Sequence, residues 1–165
     1  LDFDTKKELL KWIPTNKKIK ASKFLGELCD KSHTKENHFE SICNLLNLNK
    51  EQPSMLIFSS YDGTFRSCKA TLKKYNMGYK EIKGTPDQIN KTVENYNKKE
   101  LSCLMLNSKH MGFGMNLQTT SDIVIMHKMD PEMENQVIGR AYRIGKTTPL
   151  RIWYIYHSTE DEDDN

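Results

Sequence analysis

The sequence predicts an α/β fold: a parallel sheet covered by helices on both faces. Three observations predict it. MLIF (55–58), CLMLN (103–107) and IVIM (123–126) are short, unbroken apolar runs, as a strand buried on both sides requires. Between them lie stretches whose apolar residues recur three and four apart, the spacing of a helix face. The two textures alternate along the chain, which is the signature of strands joined by crossover helices. A length of 165 residues gives room for one domain with a sizeable core.

The elements follow in order. Residues 1–22, opening LDFDTKKELL, read as a charged leader or linker without a signal-peptide pattern or an initiating Met, as in a fragment or a processed chain. ASKFLGELCDK and NHFESICNLLNL have helical spacing. MLIF is the first strand. Thr64 opens a helix through FRSCKATLKKY, YKEIKG makes a short strand, and Pro86 starts a helix through DQINKTVENYNKK. CLMLN is followed by a loop. DIVIMHK (122–128) is a strand, PEMENQVIGRAYR a helix and LRIWYIY (150–156) the last strand. Residues 23–157 thus form the domain, and STEDEDDN (158–165) an acidic tail expected to be disordered. In parallel sheets of this kind ligands collect at the carboxyl ends of strands, so the loops after Phe58, Asn107 and Lys128 form the expected working edge.

Formal net charge is +3, but the last eight residues hold five acids and no base, so the body before them is strongly basic. A basic body suits a polyanionic partner, and a lysine-rich soluble surface explains the charge equally well. The longest apolar runs are too short to cross a bilayer, so no membrane partner is expected. Cys29, Cys43, Cys68 and Cys103 stand apart with no CxxC pair, as free thiols in a reducing intracellular compartment do. Cys29, His33, His38 and Cys43 lack the spacing of a familiar zinc site and read as buried thiols and solvated histidines; no metal site is expected.

Two segments carry chemistry. In QVIGRAYRIGK, after the helix start Asp130–Pro131, Gln136, Arg140 and Arg143 fall within an arc of about 60°. Met133, Val137, Ala141 and Ile144 make a neighbouring apolar stripe that fixes how that polar edge faces. Guanidiniums on a rigid element suit phosphate, and Gly139 leaves room beside Arg140 for another surface. Two solvated arginines on an exposed helix are the plain alternative. NSKHMGFGMNLQ places Gly112 and Gly114 after a buried strand, with Ser108 and Lys109 adding a hydroxyl and a charge; its amides suit a phosphate, and a tight connection explains it nearly as well. FSSYDGTF offers Ser59, Ser60 and Thr64 near a helix start, where ordinary turn chemistry is the simpler reading.

The order of these pieces resembles the C-terminal RecA-like lobe of superfamily 2 helicases, above all Swi/Snf-type translocases. MLIFSSY is similar to their motif IV, NSKHMGFGMNL to motif V and QVIGRAYRIGK to motif VI, the most specific of the three. HKM and EMENQVIGRA also resemble helicase-like ATPases of large cytoplasmic DNA viruses, which leaves a viral factory, a virion or a nucleus as the setting. The resemblance covers about residues 23–156 and implies a RecA-like sheet, ATP with Mg2+ as cofactor, and an N-terminal RecA-like lobe of the same protein as partner. It also implies a nucleic-acid partner, DNA favoured over RNA. Arg143 matches the arginine finger, Arg140 the first arginine of motif VI and Gln136 the glutamine that opens it. Gly112, Gly114 and Asn116 match the motif V loop, with Gly114 also toward ATP and Ser108 and Lys109 toward the strand. Ser59, Ser60 and Tyr61 match the strand-contacting motif IV, with Lys83 and Gly84 at a further backbone-contacting turn. His110 and Met111 replace the usual small residues of motif V, and Lys146 stands where Swi/Snf-type proteins have glutamine.

The sequence contains no G-x-x-x-x-G-K-[ST] phosphate loop and no acidic Mg-binding motif after a strand. The expectation is half of an active site: an arginine-finger lobe, inactive by itself as an ATPase. A non-catalytic RecA-like module that binds nucleic acid or a partner protein is the alternative. A doubly wound phosphatase or nucleotide-binding domain lacks a nucleophile in a suitable loop.

Overall fold

The computed structural model describes residues 18–20 (backbone only), 34–48, 52–110, 114–141 and 150–155. Among the described residues six strands form one sheet: β1 (Lys18–Lys20), β2 (Met55–Ser59), β3 (Tyr79–Glu81), β4 (Cys103–Asn107), β5 (Asp122–Ile125) and β6 (Arg151–Tyr154). Their order is β1-β6-β5-β2-β4-β3 and every pairing is parallel. All carboxyl ends therefore lie along one edge. Helices α1 (Lys35–Asn47), α2 (Asp62–Lys74), α3 (Pro86–Asn97) and α4 (Pro131–Ala141) cover the faces.

The unbroken apolar runs have the expected cause. Ile57, Met105, Val124 and Trp153 join Phe39, Ile42, Leu46, Phe65 and Leu72 of α1 and α2 in one buried cluster. Leu56, Phe58, Leu104, Leu106, Ile123 and Ile125 join Ile89 and Tyr96 of α3 and Val137 and Ala141 of α4 in the other. Successive residues of a strand thus enter opposite cores, and neither face of the central strands is polar.

Helix starts are set by local chemistry. Thr34 caps α1 by accepting the Asn37 amide at 3.1 Å. Thr85 and Gln88 form a reciprocal capping box at α3, with Pro86 in the first turn. Gly84 enters that box at φ 101°, and a Cβ there would meet Gln88 Oε1 at 2.1 Å. Its glycine is thus required by the backbone. Asp130 Oδ1 accepts the Glu132 amide at 3.0 Å, so the Asp–Pro start of α4 is built as its residues suggest.

Several boundaries differ from the sequence reading. Helix α2 starts at Asp62, before Thr64, with Asp62 placing negative charge in its first turn. Strand β5 ends at Ile125, short of Lys128. Past it Met126 N–H still donates to Phe58 O at 3.3 Å, and then the side chain of His127 takes over the contact to β2. Lys18–Lys20, assigned to the leader, pair with Ile152–Tyr154 and close one side of the sheet. His38, read as solvated, is buried in α1, because its position shares the helix face of Phe39 and Ile42. Cys43 is buried too; Cys29 and His33, and the helix expected over ASKFLGELCDK, lie outside the described residues.

Opposite the working edge, a buried polar network fixes β5 to β6. The fully buried Asp122 carboxylate accepts from Arg151 Nε (2.8 Å) and Nη2 (3.1 Å), Trp153 Nε1 (2.8 Å) and Ser121 Oγ (2.8 Å). Each oxygen has two donors, which is what keeps a buried charge tolerable.

Candidate functional site: the carboxyl edge and the α4 arginine

At the carboxyl edge the ends of β2, β4 and β5 meet. Strand β2 delivers Ser59, Ser60 and Tyr61. Ser59 is buried, and its hydroxyl closes a tight turn by accepting the Tyr61 amide at 3.0 Å and donating to Tyr61 O at 3.2 Å. Its place is therefore inside the turn, with Ser60 half-buried and Tyr61 outside it. Tyr61 is 65% exposed, an unusual position for a large ring.

Strand β4 ends on Asn107, a buried amide that ties two elements together. Its Nδ2 donates to Asp62 Oδ1 at 2.8 Å, and its Oδ1 accepts the Lys109 amide at 3.1 Å. A single 3-10 turn, Ser108–His110, follows where a loop is expected. It carries Lys109 Nζ to 3.2 Å from Asp62 Oδ2. The Lys109 bond, then that from Asn107, holds the Asp62 carboxyl below the usual carboxylate range. Lys109 is exposed, so its cation meets solvent beside Asp62 at the start of α2.

The segment just after β5 supplies His127. Its Nε2 accepts the Ser60 amide at 3.0 Å, its Nδ1 lies 3.1 Å from Lys128 O, and its ring centroid is 5.0 Å from that of Tyr61, tilted by 50°. Behind it Lys35 Nζ of α1 donates to Met126 O at 2.7 Å.

Lys83 lies in the turn after β3, exposed, 3.4 Å from Glu81 Oε2, and Gly84 beside it is exposed as well. Bonds from Lys69 and then Lys83 hold Glu81 below the carboxylate range.

The glycine-bearing loop is described on either side of residues 111–113, so Gly112 lies outside the described residues. Gly114 and Asn116 are exposed, and Met115 and Leu117 between them are buried anchors. Asn97, at the end of α3, clamps this segment: Nδ2 donates to Asn116 O (3.0 Å) and Oδ1 accepts from Thr119 Oγ1 (2.8 Å). Leu117 N–H donates to Arg140 O at 3.0 Å, joining the loop to the last described turn of α4.

On α4, Val137 and Ala141 are buried and Met133 is half-buried, which turns Gln136 outward and leaves Arg140 half-buried. A Cβ on Gly139 would meet no described atom within 4 Å. Arg143 and Ile144 lie outside the described residues. Helix α4 leads back from the carboxyl edge, so Arg140, in its third turn, stands roughly 15 Å along the helix from Asp130. The predicted residues therefore fall into two groups, one at the strand ends and one on α4, with the loop of Gly114 and Asn116 between them. Asp62, Asn107, Asn97 and His127 were not singled out by sequence. A polar residue closing an apolar run, as in CLMLN and IVIMH, was the available signal for two of them.

Among the described residues no helix is long and apolar enough to cross a membrane, and no group of three or more His, Cys, Asp or Glu is placed to hold a metal ion.

Known proteins with the same pattern put this geometry in context. The sequence matches the family described as Helicase conserved C-terminal domain over residues 37–145. It is 34% identical over 149 residues to "Putative helicase R592" of Acanthamoeba polyphaga mimivirus, covering 90% of this chain and 18% of that protein. It is 30% identical over 144 residues to "Protein CHROMATIN REMODELING 19" of Arabidopsis thaliana, covering 83% of this chain and 19% of that one. The chain thus spans under a fifth of these relatives. In structure it is similar to the C-terminal part of the Fun30 ATPase domain, with a TM-score of 0.68 at 20% identity over 79% of this chain and 43% of that one. The C-terminal domain of the DEAD-box protein Dbp5 gives 0.59 at 16% identity, over 75% and 72%. The sheet is thus RecA-like, and the chain belongs to the helicase conserved C-terminal domain family.

Proposed function

We propose that the chain is the second motor lobe of an ATP-dependent nucleic-acid translocase, acting on DNA in preference to RNA. One observation carries the reading. The segment that leaves the carboxyl edge beside Asn107 and Lys109 ends with Leu117 hydrogen-bonded to Arg140 O. A single loop therefore touches the edge suited to a nucleic-acid backbone and the helix suited to phosphate.

The residues divide accordingly. Ser60, Tyr61, Ser108 and Lys109 present hydroxyls, a ring and a cation along one edge, with Lys83 and Gly84 at the next turn, and the exposed Asn116 follows further along the loop toward α4. Ser59 shapes that edge from beneath. Such a mixture contacts phosphate and sugar without reading sequence. Gln136 and Arg140 stand beside the packed stripe of α4 that Val137 and Ala141 form, and Arg143 follows them three residues on in the sequence. The open side of Gly139 admits a second surface there, which fits ATP and Mg2+ held on an N-terminal lobe. When bound, ATP supplies the phosphoryl group whose cleavage drives the cycle. Arg143 would stabilise charge on that group as a finger, and Arg140 would serve the same phosphates or the acids between lobes. Lobe closure brings Arg143 in, and reopening moves the track along the strand.

In the full-length protein, Arg143→Ala lowers ATP hydrolysis by about a thousandfold or more while DNA affinity is largely kept. Equal loss of both with the fold intact refutes the finger role, and unchanged hydrolysis favours a non-catalytic module. The isolated chain shows no DNA-stimulated ATPase, and clear turnover by it overturns the half-site reading.

A further inference from the structure

His127 is not explained by the core. It is half-buried, follows the last residue of β5 by two, and gives up its ring to a neighbouring turn. The Ser59–Tyr61 turn has two backbone donors after β2. Ser59 Oγ accepts the Tyr61 amide, and His127 Nε2 accepts that of Ser60 at 3.0 Å. Accepting there requires an unprotonated Nε2. The other ring nitrogen lies 3.1 Å from the Lys128 carbonyl, an acceptor, so it carries the proton. Only the neutral Nδ1–H tautomer satisfies both contacts, and the Lys128 carbonyl selects it. The same ring stands 5.0 Å from the ring of Tyr61.

We infer that His127 is a positioning residue of the nucleic-acid track: by holding the Ser60 amide and backing Tyr61, it fixes the turn in the shape that meets the strand. The inference rests on the reading of this edge as the track. It has a chemical corollary. Both amides of the turn are occupied internally, so the turn contacts the strand through the Ser60 hydroxyl and Tyr61, not through its backbone donors.

The decisive comparison is reach. A Gln amide oxygen lies about where Nε2 does and can accept from Ser60; an Asn oxygen falls short of it. Full-length protein carrying His127→Gln, His127→Asn or Tyr61→Ala is titrated with duplex DNA by fluorescence anisotropy, and its ATPase is measured against DNA concentration. His127→Asn weakens DNA binding about three- to tenfold and raises the half-saturating DNA concentration equally, with kcat at saturating DNA unchanged. His127→Gln stays within about twofold of the parent. If the Asn protein does not fold, His127→Met, as long as Gln but without an amide acceptor, takes its place. Equal behaviour of the Gln variant and its comparator, or a fall in kcat alone, overturns the inference. Where Tyr61→Ala weakens binding and His127→Asn does not, only the inference fails. If the parent does not bind DNA, or Tyr61→Ala binds as tightly as the parent, the track reading fails and takes the inference with it.

Discussion

Asp122→Ala removes a buried carboxylate that holds four hydrogen bonds, and its cost can be worked from its partners. Arg151 Nε and Nη2, Trp153 Nε1 and Ser121 Oγ all lose their acceptor. Ser121 also bonds Ser54 O at 3.2 Å and keeps that partner. The Arg151 side chain is 14% exposed and regains part of its hydration. Trp153 is fully buried and does not. Breaking one side of a buried pair costs about 3–5 kcal/mol, and the access of Arg151 to water puts this case near about 3. At about 2–4 °C per kcal/mol for a chain of this size, Tm falls by about 6–12 °C. With a urea m-value of about 2 kcal/mol/M, the midpoint falls by about 1.5 M. Asp122→Asn keeps the shape and one acceptor, so it costs about 1.5–3 kcal/mol. Arg151→Met leaves the carboxylate short of two donors, and the double change Asp122→Asn with Arg151→Met costs less than the sum of the single ones. A midpoint change under about 0.5 M for Asp122→Ala at unchanged m refutes the claim that this network fixes β5 to β6.

Three further outcomes are expected. Asp62 has a folded-state pKa below the ordinary carboxylate value, so its stabilising contribution is present above about pH 4 and is lost as pH falls through the lower folded value. Asp62→Asn therefore removes part of the acid limb of the stability curve, and an unchanged limb below about pH 4 contradicts this. Gly84→Ala destabilises by about 1–3 kcal/mol in urea unfolding, through its positive φ and the displaced Gln88, whereas Lys83→Ala loses only an exposed ion pair with Glu81, costs less than about 1 kcal/mol and weakens DNA binding. Burial pushes the Cys68 thiol up to about 12 and raises Cys43 and Cys103 as well, so all three resist a thiol reagent at pH 8 until urea unfolds the chain. Fast labelling of the native protein at any of them contradicts that packing.

The fold was legible because its central strands are buried on both faces. That forces unbroken apolar runs at β2, β4 and β5, and such runs look like nothing else when helices separate them. The ends were less legible. Lys18–Lys20 is a short, lysine-bearing strand supported by one neighbour, and nothing in KIK distinguishes it from a charged linker. Strand β5 stops early because a side chain, His127, replaces the ladder, and periodicity carries no trace of that. The α4 edge was readable from its wheel, since Val137 and Ala141 dictate where Gln136 and Arg140 face. At the carboxyl edge the residue types were readable but their division of labour was not. Ser59, Ser60 and Tyr61 are adjacent in sequence, yet one is buried, one half-buried and one exposed. Only the turn that Ser59 closes separates them.

The pairing of Lys18–Lys20 with Ile152–Tyr154 has a consequence for how the chain reaches its native state. These two strands come from opposite ends of the described sequence, so closing them encloses nearly the whole domain in one loop. Strands β2, β4 and β5 are joined through much shorter separations. Loop-closure entropy favours the nearer contacts first, and synthesis from the amino end delivers β6 last. The half of the sheet that carries the track can therefore assemble while β1 still waits for its partner. A nascent chain halted before Arg151 should already protect Leu56, Leu104 and Val124 amides from exchange, with β1 still open to solvent.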